Sequence, residues 1–444
     1  MSPNKHSLQI FFGQQEEYVV PPQRKNIFKI FFFGCLQRKI LSPIVSPHKR
    51  GFMIRDFRVD TIRGLMLVLM TIVHLSGPAA GFIYEAVGYV SEAEWFVFLS
   101  GLVAGLTYSR YADRSGEPAV WRKAFQRAAT VYAFHVATFL VLLFLLPHLT
   151  LDQWGAQSWS PYWSQSLGMN LFLGLTFLAQ PRFLDILPMY VVFLLTLPVM
   201  IGLLRRGKSG WLLLGSFVIW SFGQAGLREE IHGLLPSEWG VQLGAFDPFA
   251  WQLLFVLGVT AGFVMWGDRD AGKTVEASRP QVLQSPFLVA TSATLVIICF
   301  LLRRGWLGDF SEMPDWYLLV QKSRMAPLRV MNFLALTTLV YWASARFWTK
   351  HGLNPLTYLG QHSLQVFSFH ILVVYLAVHF FQNSSQSMNA YLLTLASSVL
   401  ALFIPAAMNT VWHRWLERGR KHEAGSPASA GVVREPSLTT DPHG

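Results

Sequence analysis

Between Arg55 and His74 the chain reads RDFRVDTIRGLMLVLMTIVH, passing without a break from a cluster of charges into an apolar run. In hydrocarbon every backbone N–H and C=O must find a partner inside its own segment, so such a run folds as a helix. The run is expected to span about 62–82, which places His74 well inside it. A titratable side chain at that depth costs a few kcal/mol and calls for a reason. Arg63 and His74 are eleven residues apart, about three helical turns, so they lie near one face and roughly 16 Å apart along the axis. One helix thereby carries a cation at the membrane surface and a base near its middle. That pair suits a reaction joining a soluble anionic donor to an acceptor across a bilayer.

The rest of the chain is of the same kind. Of 444 residues, 52% are hydrophobic and only 14% charged, against about a quarter charged in a soluble domain. The fold class is all-α, a polytopic membrane protein. Apolar stretches fall at about 62–82, 93–109, 127–147, 184–204, 211–226, 249–266, 285–302, 328–347, 362–382 and 389–412, giving about ten transmembrane helices. Leu171–Ala179 is too short to span and reads as an interfacial or re-entrant helix. The net charge of +11 belongs to loops held in the cytoplasm rather than to nucleic-acid binding. Arg110, Arg114, Arg122, Lys123 and Arg127 mark one such loop, and Arg205, Arg206 and Lys208 another. The Trp-bearing segment 148–168, with Trp154, Trp159 and Trp163 and no Lys or Arg, suits the opposite face. Both termini then lie in the cytoplasm. Arg303 and Arg304 break the pattern by falling outside.

Residues 1–54 form a basic N-terminal tail. Met53, just before the charged opening, is an alternative start that would make 1–52 an untranslated artefact. Residues 55–416 form the membrane domain, and 417–444 read as a disordered cytoplasmic tail, rich in Ser, Pro and Gly beyond 421. Cys35 and Cys299 are too few for a disulfide framework or a thiolate metal site. The sequence lacks phosphate-cradling loops, HExxH and GxSxG. Any chemistry therefore uses histidine, carboxylate and arginine, and no metal.

Polar groups in or beside the spans are Asp60, Arg63, His74, Glu94, His135, Asp185, Gln252, Asn332, His362, Gln365, His370 and Asn409. For most of them an interhelical hydrogen bond is a sufficient reason to be there. His74 is different, because its helix is otherwise apolar. His362 and His370 are two turns apart and are expected to share a face with Gln365 and Ser368. Gly64, Gly101/Gly105 and Gly258/Gly262 allow helices to pack closely, and Pro188 is expected to bend its helix where Asp185 enters the membrane.

Five segments in order, RDFRVDTIRGLMLVLMTIVH, AEWFVFLSGLVAG, LDILPMYVVFLLTLP, FDPFAWQLLFVLGVTAG and LGQHSLQVFSFHILVVY, resemble the characteristic blocks of the OpgC family. These are inner-membrane proteins of Gram-negative bacteria associated with succinylation of osmoregulated periplasmic glucans. The family is similar to the broader membrane acyltransferase-three superfamily, whose first helix carries an arginine, ten residues and then a histidine; Arg63 and His74 keep that spacing. The resemblance implies O-acyl transfer from a cytoplasmic acyl-CoA, succinyl-CoA before acetyl-CoA, to a glucan hydroxyl. It implies His74 as the base and Arg63 as a donor-binding residue, Asp60 and Glu94 as acidic site residues, and His370 as a site residue of the last block. Glu94 departs from the usual Glu-Ile-Phe by standing before Trp95. Arg122 and Lys123 would attract the CoA phosphates. A succinyl pocket also needs a cation for the free carboxylate, with Arg303, Arg304 and Arg324 the candidates on topology. The partners are the glucan, the acyl-CoA and the bilayer. The alternative is a transporter or flippase for a small anion or lipid-linked sugar, which should carry internal repeats; none is evident.

Overall fold

Close passage of helices at glycine organises the architecture. The structure, a computed structural model, describes residues 57–149, 166–270, 285–308, 310, 313–347, 354–382 and 387–424. These are helical, with no strand among the described residues beyond an isolated bridge between Ala179 and Gln242. The elements are α1 (Phe57–His74), α2 (Pro78–Ile83), α3 (Glu92–Leu145), α4 (Leu167–Leu175), α5 (Ile186–Arg205), α6 (Ser209–Gln224), α7 (Leu227–Gly233) and α8 (Pro248–Asp270). They continue with α9 (Pro286–Arg303), α10 (Pro314–Val320), α11 (Pro327–Phe347), α12 (Pro355–Gln361), α13 (Ser363–Gln382), α14 (Met388–Ala401) and α15 (Phe403–Ala424).

By length and composition six helical stretches suffice to cross a membrane, or seven if α6 and α7, bent by 57°, form one span. The expected ten is a finer count than this. Three differences from the sequence reading have local causes. The first span does not continue to 82. Ser76 (φ 61°) and Gly77 (φ 86°) leave the helical region and Pro78 opens a new helix, so α1 stops at His74. His74 therefore sits at the C-terminal end of its helix, not within it. The basic segment 110–127 is helical rather than a loop, broken at Gly116 (φ 76°) two residues before Pro118. The two arms fold back on each other there. Tyr108 Oη donates to Lys123 O at 3.3 Å, whereas fifteen residues of straight helix would separate them by about 22 Å. Pro188 lies in the first turn of α5, where its missing N–H leaves nothing unsatisfied and gives no cause for a bend.

The most extensive pairing is α3 against α8. A Cβ at Gly101 or Gly105 would overlap the carbonyls of Phe255 and Val259, and one at Gly258 or Gly262 those of Phe98 and Leu102. Four glycines thus let the two backbones touch over two turns, the small-residue packing read from the sequence. The second close crossing joins α1 to α12. Gly64 faces the Leu356 carbonyl, and Gly360 faces that of Asp60. Thr61 and Thr357 share a 2.7 Å hydroxyl–hydroxyl bond beside it. Polar span residues satisfy one another as expected. Gln252 and Ser216 exchange two bonds of 2.7 Å, and Asn332 Oδ1 accepts from Tyr89 N at 2.7 Å.

The prediction is that Gly258→Val destabilises the protein by about 1–3 kcal/mol through overpacking, read as a lower Tm in detergent. Gly267→Val, at a glycine of the same helix with open space around it, should leave Tm nearly unchanged.

Candidate active site

The break after α1 presents His74 to its neighbours. His74 Nδ1 lies 3.2 Å from His370 Nε2, on α13. His370 Nδ1 hydrogen-bonds the backbone carbonyl of Phe367. A carbonyl only accepts, so His370 Nδ1 carries the proton and, in a neutral ring, Nε2 holds the lone pair. That lone pair accepts from His74 Nδ1–H, and Nε2 of His74 is left as the basic atom. Phe367 thus fixes one tautomer, which fixes the next. The other face of His74 stacks on Phe183, with centroids 3.8 Å apart, and the Arg182 guanidinium lies 5.2 Å from that same ring. His370 is fully buried and His74 half-buried.

The turn that ends α1 is clamped from α14. Tyr391 Oη accepts from Ala79 N and donates to Ser76 O, both at 3.2 Å, and its ring fills the space a Cβ at Gly77 would need. Of five non-glycine residues at positive φ among the described residues, Ser76 and Phe183 flank His74, while Glu85 and Met325 border the charge cluster described next. Strained backbone gathered in one place marks a constellation that the surrounding structure over-determines.

That cluster is centred on Arg329 of α11. Its Nε donates to Val320 O at 2.6 Å, and Nη1 to Tyr89 O at 2.7 Å and Glu94 Oε1 at 3.1 Å. Its Nη2 pairs with Glu85 Oε1. Glu85 Oε2 takes Arg303 Nε at 2.6 Å. Burial pushes the Glu85 carboxyl up, but the facing charges of Arg329 and then Arg303 outweigh it and hold the group below the usual range. Glu94 Oε2 accepts from Ser91 N at 3.0 Å and Ser91 Oγ at 2.5 Å, closing a capping box at the start of α3. Both Glu94 oxygens are therefore engaged in holding structure.

The remaining sequence candidates fall in different places. Arg63 Nη2 donates to Ser363 Oγ at 2.6 Å, tying α1 to the first residue of α13. Asp60 is buried in the first turn of α1 beside the Gly360 crossing. Arg122 is exposed and Lys123 half-buried, just past the Gly116 turn and about 30 Å along the first α3 arm from Glu94. Asp113 and Glu117 tether that turn to Arg205, the last residue of α5, and to Arg206 just beyond it. His362 does not join His370 on one stripe. It falls between α12 and α13 and lies 2.9 Å from Asn409 Nδ2 of α15. Of the three arginines considered for a free carboxylate, Arg303 pairs with Glu85, Arg324 with Glu229 at 3.2 Å, and Arg304 covers Phe300 at 5.6 Å. Trp154, Trp159 and Trp163 lie outside the described residues, as do 1–56 and 425–444, while α15 carries helix to Ala424. Glu85, Arg329, Tyr391 and Phe183 were not singled out by the sequence. They stand in short connections or amid apolar residues, and no local pattern marks them.

Fold and site together define a helical membrane protein with a paired-imidazole centre and a buried ionic cluster. The chain matches the family model described as OpgC protein over residues 55–415 and belongs to that family. No curated protein and no solved structure matches it. Membership brings an acyltransferase-like role on periplasmic glucans.

Two variants probe the centre. Arg329→Met removes the cation shared by two buried carboxylates, leaving Glu94 without an ion pair and Glu85 with Arg303 alone, and should cost about 3–5 kcal/mol, seen as a large fall in Tm. Tyr391→Phe removes both bonds across the turn after His74. It should lower turnover in glucan modification about tenfold or more at unchanged KM, with Tm shifted by only a few degrees.

Proposed function

We propose that the protein is a membrane O-acyltransferase of the bacterial inner membrane, moving a succinyl group from cytoplasmic succinyl-CoA to a hydroxyl of a periplasmic glucan. The observation that carries this reading is the imidazole pair in which His74 Nε2 is the basic atom, within a chain of the OpgC family. In the proposed reaction Nε2 removes the hydroxyl proton while the sugar oxygen attacks the thioester carbonyl carbon. The new C–O bond forms, the C–S bond breaks, and the CoA thiolate leaves and takes the proton back from the imidazolium. The accepted charge is shared with His370 through the Nδ1–H bond. The same nitrogen would carry the acyl group if transfer ran through an acyl-imidazole, in which case CoA leaves before the glucan attacks.

Arg63 holds α1 in register with α13, and with Arg122 and Lys123 it makes the basic side at which an anionic donor is expected. Asp60 and Glu94 act as positioning residues. Ten passes with both termini cytoplasmic would put that basic side toward the CoA pool and the turn after α1 toward the glucan.

The test is mass spectrometry of periplasmic glucan from a strain lacking the protein, complemented with wild type or His74→Ala. Wild type should restore the mass increment of a succinyl ester. His74→Ala should lower modification about 10²–10⁴-fold with membrane abundance unchanged. An acetyl increment would change the donor and keep the chemistry. Full restoration by His74→Ala would remove His74 as the base.

A further inference from the structure

The connection between α10 and α11 is held far more firmly than a surface loop requires. Four consecutive carbonyls, those of residues 322–325, are each tied to α6, α8 or the residue before α8. Trp251 Nε1 donates to Lys322 O at 3.1 Å and to Ser323 O at 3.0 Å. Asp247 N also donates to Ser323 O, at 2.9 Å. Gln224 Nε2 donates to Arg324 O at 2.5 Å and Trp220 Nε1 to Met325 O at 2.9 Å. Met325 is itself held at φ 47°. The side chain these bonds position is Lys322. Its ammonium lies 4.9 Å from the Tyr84 ring centroid and 6.0 Å from that of Phe246. Among the described residues no carboxylate stands within ion-pair distance of it. Arg303, Arg324 and Arg329, by contrast, are each paired with glutamate.

Lys322 is also linked to the histidine centre through its neighbours. Phe183, stacked on His74, is two residues from Asp185, whose Oδ2 accepts from Ala245 N at 2.6 Å. Ala245 precedes Phe246, one of the two rings beside the ammonium. Lys322 and Arg182 are the two non-histidine cations that act electrostatically on His74. Burial pushes the Lys322 ammonium down, and Tyr84 with the Glu94 and Glu92 carboxylates outweighs it, leaving the group above its usual range.

Resting on the transferase reading above, we propose that Lys322 is the specificity-determining residue that binds the free carboxylate of the transferred acyl group, selecting a dicarboxylic acyl donor over a neutral one. A charge held in aromatic walls on a pinned loop is pre-organised for an anion of the substrate, which arrives with its own carboxylate two methylenes from the thioester carbonyl. A neutral acyl chain in the same place would leave the ammonium desolvated and without its partner.

The experiment measures Kd for succinyl-CoA and butyryl-CoA, which has the same chain length and no carboxylate, by equilibrium dialysis against the full protein in nanodiscs. Wild type should prefer succinyl-CoA by about tenfold or more. Lys322→Met should abolish the preference by weakening succinyl-CoA alone, and Lys322→Arg should retain most of it. The proposal is overturned if wild type shows no preference, if monodisperse Lys322→Met keeps the preference, or if that variant weakens both esters equally. Failure of the transferase reading looks different. Wild type would then bind succinyl-CoA through Lys322 while leaving the glucan unmodified in the complementation assay.

Discussion

The crossing of α1 and α12 at Gly64 and Gly360 is the contact on which the centre depends. Each glycine lies where a Cβ would overlap a carbonyl of the opposing helix, so the two backbones are seated at one register and no other. From that fixed point α1 runs along α13. Arg63 meets Ser363 near the start, and His74 meets His370 three turns further on. A slip of one residue would rotate His74 by about 100° around its helix axis and part the imidazoles. Backbone contact far from the chemistry thereby sets a hydrogen bond at the site.

The ionic cluster does the corresponding work on the other side. Arg329 of α11 reaches four acceptors, one at the end of α10, two in the connection before α3 and one in α3 itself. Its planar fork suits that many directed bonds, which an ammonium could not supply. Two glutamates beside it are locked, so the short segments between α2 and α3 and between α10 and α11 have fixed shapes. Those segments carry Tyr84 and Lys322, and the strained residues Glu85 and Met325 lie in them. Strain, buried charge and the imidazole pair occur together because rigid placement of a few atoms is what each of them serves.

Much of this was legible in the sequence. Apolar length located nearly every long helix, because hydrocarbon leaves the backbone no alternative. The Gly101/Gly105 and Gly258/Gly262 spacing announced the α3–α8 packing. His74 and His370 were both singled out in the sequence, but nothing there paired them. What the sequence hid depends on distance in space. Arg329 and Glu85 are 244 residues apart in the chain, and Arg303 looked misplaced only until its glutamate was found. The end of α1 at His74 rested on Ser76, Gly77 and Pro78, small signals inside an otherwise apolar run. The pairing of His362 and His370 failed because the helix expected over 362–382 begins at Ser363, leaving His362 in the break before it.

The imidazole pair has an electrical consequence for a helical membrane protein. A base open to one side, with a second ionisable ring beneath it, is the beginning of a proton wire. Here the second ring points its remaining nitrogen at the Phe367 backbone carbonyl, which accepts a hydrogen bond but does not take up a proton at physiological pH. Charge gained at His74 spreads over two rings and goes no further, and it returns by the way it came. A proton taken up at this pair therefore has no onward route through the second ring.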